Sequence, residues 1–199
     1  MRVDPSARLE GGTDNTRTTG VSAAGSSVTD MEFDAKTLEA AQPHLYDPDS
    51  DDLAPMIFWG GLLLLQDGEE LLGSLVQAKE SDGATSWRLL WVTPTRIIYS
   101  EASKALGGWN AYTPDDRGAP DELVTWCRPL ADVERLELTG QTTARQRQYS
   151  DLRSWDAEAR LILRDGPAIE LPLFGGRPGY RGRAAVDELI KTLVAVLWR

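Results

Sequence analysis

The chain has one histidine and one cysteine in 199 residues. Cys127 can make no intramolecular disulfide, and no cysteine cluster is present to hold a metal. A lone thiol suits a reducing compartment. The N-terminal MRVDPSARLEGGTDNTRTTG lacks the apolar core of a secretory signal, so a cytoplasmic protein is expected. Any Ser-His-Asp or Cys-His arrangement would have to run through His44, which follows Pro43 beside an acidic run. The nucleophile elbow G-x-S-x-G and the phosphate loop G-x-x-x-x-G-K-[ST] are both absent. These gaps predict a protein that is not an enzyme and uses no cofactor or metal. The longest uncharged apolar stretch, Leu53 to Leu65, has 13 residues. Spanning a bilayer takes roughly 20.

Positive charge is also in short supply. The formal net charge is −10, and residues 1–80 hold fifteen acids against five bases. Residues 81–199 hold sixteen of each, so the whole excess lies in the N-terminal part. That balance argues against nucleic acid as a partner and against docking on an anionic membrane through a polybasic patch. Arg outnumbers Lys 17 to 4, as in chains from high-GC bacterial or phage genomes. No feature sets an oligomeric state.

What the chain does have is a strong β pattern. The segment WRLLWVTPTRIIYSE, Trp87 to Glu101, places two runs of strand-forming residues around Thr93-Pro94-Thr95-Arg96 and predicts a hairpin. Glu70 to Lys79 precedes it as a strand, with a turn at Ser81 to Ala84. Leu123 to Arg128 and the alternating VERLEL, Val133 to Leu138, follow as further strands. A second hairpin is predicted from Glu158 to Phe174 around Asp165-Gly166. Residues 183–198 carry apolar side chains three and four apart, which makes an amphipathic helix. Ser103 to Glu122 and Thr139 to Trp155 read as long loops. Trp87, Trp91 and Trp126 are expected in the core, and Trp198 over the barrel end.

Before the strands, residues 1–29 have too few large apolar groups to offset the entropy of ordering, so a disordered tail is expected. Residues 30–66 form a lead segment. It holds a short helix ending near Ala41, because Pro43 follows, and then an acidic linker, Asp47 to Asp52. The D-x-D-x-D spacing there departs from a calcium loop at its sixth position, Asp52, and its twelfth, Phe58. Leu53 to Leu65 is either packed on the domain, which is the expectation, or an exposed docking segment.

Residues 67–199 thus carry about seven strands and one closing helix. Three stretches, LLWVTPTRIIYS, RPLADVERLEL and LILRDGPAIELPLF, resemble the bacterial pleckstrin-homology-like domains, a group close to GRAM domains. The resemblance implies a mainly β fold: a strongly bent sheet or partly open barrel, plugged at one end by the helix. It also implies a platform that binds lipids in some members and proteins or peptides in others. The long loops and the acidic N-terminal segment depart from that pattern.

Phe174 to Arg183, FGGRPGYRGR, is the richest candidate site. Arg177, Arg181 and Arg183 lie with Tyr180 just before a helix start, where free amides and the helix dipole favour an anion. The alternative is a solvated loop whose arginines pair with the chain's own acids. Arg145 and Arg147 would widen the surface if the fold gathers the loops. Trp109 and Trp155, on or near loops, have the character of contact residues. The expected function is a protein or peptide interaction platform; the alternative is binding of an anionic lipid head group through Arg177 to Arg183. The opposite charge of the lead segment raises a third expectation, that residues 30–66 fold back over the domain's own site.

Overall fold

The structure, a computed structural model, describes residues 39–50, 54, 61–65, 69–105, 120–143 and 155–198, without the side chains of 141–143 and 155–157. Seven strands run in order: β1 (Gly73–Ser81), β2 (Ala84–Val92), β3 (Arg96–Ala105), β4 (Glu122–Pro129), β5 (Val133–Thr143), β6 (Trp155–Leu163) and β7 (Ile169–Leu171). The helix α1 (Tyr180–Leu197) closes the chain. The fold is mainly β, as expected. β1 to β4 form one antiparallel sheet in sequence order, and β5 to β7 form a second. The expected disordered tail lies outside the described residues. No helix among them is long and apolar enough to cross a membrane.

Local chemistry explains most of the boundaries. Asp82 and Gly83 both have positive φ, at +53° and +79°. A two-residue hairpin turn demands this, and it joins β1 to β2 at the predicted place. The Asp165-Gly166 turn behaves differently. Pairing between β6 and β7 begins only at Leu161 and Ile169, so the connection is a wider loop than the dipeptide signal implies. Pro167 in the loop and Pro172 just past β7 have no N–H to extend a ladder, which leaves β7 three residues long. Thr139 to Thr143, expected in a loop, continues β5 and pairs with the start of β6. An edge strand needs no apolar alternation when its backbone is paired, and alternation was the signal that stopped at Leu138.

Leu89-Leu90-Trp91-Val92 is buried without a break. Successive side chains point to opposite faces, so both faces of the first sheet are covered. On one face Leu75, Leu90, Val92 and Ile97 meet Leu161 and Leu171 of the second sheet and Val186, Leu189 and Leu193 of α1. On the other face Val76, Trp87, Leu89, Trp91 and Ile98 meet Ala41, Leu45, Ala54 and Leu62 of the lead segment. The helical turn at 39–41 passes into a 3-10 turn, Gln42–His44, with Pro43 inside it. Trp91 Nε1 donates to the His44 carbonyl at 2.9 Å. Ala54, Leu62, Leu64 and Leu65 accordingly pack on the sheet, whereas Leu63 is exposed; residues 53 and 55–60 lie outside the described residues.

The two sheets do not close into a barrel. Side chains bridge the seams where backbone ladders stop. At one seam Leu173 N–H donates to Gln77 Oε1 at 2.6 Å. At the other, Arg128 donates to the carbonyls of Arg164 at 2.8 Å and Asp165 at 3.5 Å. The Thr93 to Arg96 turn is fastened by Glu69, which accepts from Thr93 Oγ1 at 2.5 Å and Thr95 Oγ1 at 2.7 Å and pairs with Arg96 at 3.2 Å. Trp198 does not cover the barrel end; it is 64% exposed. It follows the last helical turn, beyond the stripe that Leu189 and Leu193 bury.

Candidate functional site

Between β7 and α1 the chain turns through Gly175 and Gly176, at φ +65° and +78°, conformations that favour glycine. α1 then starts with Gly179 at its N-cap, where no side chain can cap the first turn. Its leading amides need partners from elsewhere. Asp49 supplies them. Gly179 N–H donates to Asp49 Oδ2 at 2.7 Å, and Gly182 N–H donates to Oδ1 at 2.8 Å. These two positions, N-cap and N3, are the ones a local capping box serves. Here one carboxylate serves both, and its charge complements the helix dipole.

Asp49 is itself positioned by Asp47. The Asp49 N–H donates to Asp47 Oδ1 at 2.8 Å, and the Ala78 N–H donates to Asp47 Oδ2 at 2.7 Å. Asp47 is buried. Burial pushes its carboxyl above the usual range, and the amide bonds from Ala78, Asp49 and Ser50 oppose that rise. The expected solvated acidic linker is therefore corrected over residues 47–50: two of its acids hold β1 and α1 together. The signal was present in the sequence as its counterpart, a helix starting Gly-Tyr-Arg-Gly with no capping residue of its own. Among the described residues no group of three or more His, Cys, Asp or Glu could hold a metal ion.

The predicted site residues divide. Arg177 and Tyr180 are exposed, Tyr180 by 81%, and neither side chain hydrogen-bonds a described residue. Arg181 is exposed and Arg183 half-buried, and both already interact with other groups of the chain. These four share one loop and helix start. Arg145, Arg147 and Trp109 lie outside the described residues. Trp155 begins β6 opposite Thr143, and its side chain is likewise outside the description.

A second polar cluster, unforeseen from the sequence, lies beside this loop. Arg88 and Glu101 are direct partners in the β2–β3 register. Arg88 Nε and Nη2 donate to Glu101 Oε1 at 2.9 and 2.7 Å, and Nη1 donates to the Leu173 carbonyl at 2.6 Å. The Phe174 ring sits 4.6 Å from the guanidinium, a cation–π contact. Glu101 Oε2 accepts from the Tyr99 hydroxyl at 2.8 Å, and Tyr99 stacks on Trp126 at 5.2 Å. Burial, and then the bond to Glu101, pushes the Tyr99 phenol above its usual range. Three Arg88 nitrogens and both Glu101 oxygens are thus engaged internally, which makes the cluster a strut for Leu173 and Phe174. Counting outward from the Thr93 to Arg96 turn would have paired Arg88 with Glu101.

His44 belongs to packing as well. Its Nδ1 lies 2.9 Å from Ser74 Oγ, and burial lowers its pKa. Cys127 is half-buried against the second core. No protein-family model, no curated protein and no solved structure matches the chain.

Proposed function

We propose that the chain is a non-catalytic, pleckstrin-homology-like module that binds a protein or peptide through the Gly175 to Arg183 loop. Four antiparallel strands, then three, then a closing amphipathic helix support the resemblance. The observation that carries the protein-ligand reading is the exposed pair Arg177 and Tyr180, while the contact at Asp49 weighs against an anionic head group at the helix start. The helix start that the sequence marks for an anion holds a carboxylate presented by a peptide segment. A lipid phosphate would find two of those amides already bonded. Arg177 and Tyr180 remain outside that contact as an exposed, rigid-aromatic and cationic pair of the kind that anchors protein interfaces. The cytoplasmic setting belongs to the same proposal.

The test uses the full chain, since Leu45 and Leu62 complete its core. Capture from native lysate should yield a near-stoichiometric protein that an R177A/Y180A variant loses at least in large part. Flotation with anionic vesicles that falls with salt, and that Arg177→Ala, Arg181→Ala and Arg183→Ala together abolish, would replace this reading with lipid binding.

A further inference from the structure

The first sheet ends on β4, and that edge differs from the others. β1, at the opposite edge, has its outward Ala78 N–H bonded by Asp47, and α1 packs beside it. β5 is broken by register shifts after Val133 and Leu138. β7 is three residues long and ends at Pro172. Bulges, short length and covering groups are the usual means of blunting an edge. Among the described residues β4 has none of them from Glu122 to Cys127; only at its end does Arg128 reach across to the Arg164 and Asp165 carbonyls. Its eight residues pair with β3 in unbroken register, it contains no lysine, and its one proline is the last residue. The outer side of the strand makes no backbone hydrogen bond to a described residue. Leu123 and Val124, adjacent and on opposite faces, are 44% and 52% exposed.

The sequence of this edge, ELVTWCRP, is complementary to itself when run antiparallel. Outward N–H and C=O groups recur at every second residue of a strand, so two copies can pair only in registers that differ by two. The register centred on Thr125 sets Glu122 opposite Arg128, Leu123 opposite Cys127 and Val124 opposite Trp126. Glu122 then meets a guanidinium that, among the described residues, bonds only the Arg164 and Asp165 carbonyls. Shifting the register by two residues either way sets Glu122 against Trp126 or Arg128 against Val124, which loses the charge match. We propose that β4 is a homodimer interface: two copies pair their β4 edges antiparallel about Thr125 and form one continuous eight-stranded sheet. Opposite charges and apolar pairs directly across an antiparallel ladder both stabilise it. The assignment does not depend on what the Gly175 to Arg183 loop binds.

Light scattering on the full chain should give twice the 21.9 kDa chain mass at micromolar concentration. V124K adds charge at an exposed edge position and should return the protein to monomer with its circular dichroism unchanged. L123C should cross-link to Cys127 of the second copy under oxidised glutathione, and L123C/C127S should not. A wild-type monomer, whether or not it captures an extended peptide, would overturn the proposal. So would a dimer that tolerates V124K, or one in which L123C fails to cross-link.

Discussion

The two faces of the first sheet are buried to a similar depth by different kinds of cover. One is closed by regular elements, the second sheet and α1, whose apolar side chains interdigitate with Leu90 and Ile97. The other is closed by an irregular segment that contributes Ala41, Leu45, Ala54 and Leu62 to a face containing two tryptophans. That segment is fixed largely by polar contacts: Asp49 to α1, Asp47 to β1, His44 to Ser74 and its carbonyl to Trp91. The second face also keeps an imperfection, since the buried Trp87 Nε1 has no hydrogen-bond partner among the described residues. A buried unsatisfied donor costs about 1–3 kcal/mol. Regular elements hold a core through area. An irregular cover holds it through a few directional bonds, so its stability is concentrated in a few residues.

The most severe way to break the comparison is to remove the cover. A chain of residues 67–199 would expose Val76, Leu89, Trp91 and Ile98 on one sheet face. Loss of the cooperative urea transition, with dye binding to exposed apolar surface, is the expected result. A sharp transition close to that of the full chain would mean the second face needs no cover. Single truncations grade the same contrast. Leu161→Ala, inside the first core, should cost about 2–5 kcal/mol. Leu45→Ala should fall at the lower end of that range, because a non-repetitive segment can settle into the space more readily than paired strands can. Equal costs by urea titration would erase the distinction.

The Asp49 contact permits a smaller and sharper test. Asp49→Ala removes the cap of α1 and should cost about 1 kcal/mol, the usual range being roughly 0.5–2. Gly182→Ala shows the same contact by its sign. In an ordinary helix interior this change stabilises by roughly 0.5–1 kcal/mol. Here a Cβ at position 182 would run into the Asp49 carboxylate, so destabilisation is expected. In an Asp49→Ala background the penalty should shrink without vanishing, because Pro178 also crowds the added Cβ. Additive effects across that double-mutant cycle would show that the contact is absent in solution.

How much of this was legible beforehand follows from the same contrast. The strands of the first core announce themselves by side-chain type, and α1 by its three-and-four spacing. Unbroken burial of Leu89 to Val92 was also readable, since a continuous apolar run means a strand covered on both faces. What covers the second face was not readable. Asp47 and Asp49 are polar residues in a run of acids, and only the fold brings them to Ala78 and Gly179. Periodicity reports on elements that repeat, and the lead segment does not. The candidate site divides in the same way: Arg177 and Tyr180 stand out as residue types, whereas the carboxylate already held at the helix start is a tertiary fact.

The smallest effect expected is a pH dependence confined to the cover. Burial lowers the pKa of His44 below its ordinary 6.5, so the unfolded chain binds the proton more readily than the folded one. Stability from this group is complete above about pH 6.5 and is lost as pH falls from there toward the folded-state value. Asp47 acts with the opposite sign in more acid solution. Its raised pKa means that its contribution is full below 3.8 and declines as pH rises through its folded value. The wild-type curve mixes the two, and comparison with His44→Gln separates them, because the variant keeps Asp47. Between pH of about 7 and 5 the wild type should lose more thermal stability than the variant. Amide exchange should increase in residues 39–50 before it does in β5 and β6. Parallel melting curves for the two proteins, or exchange rising first in the second sheet, would place the acid-sensitive contact elsewhere.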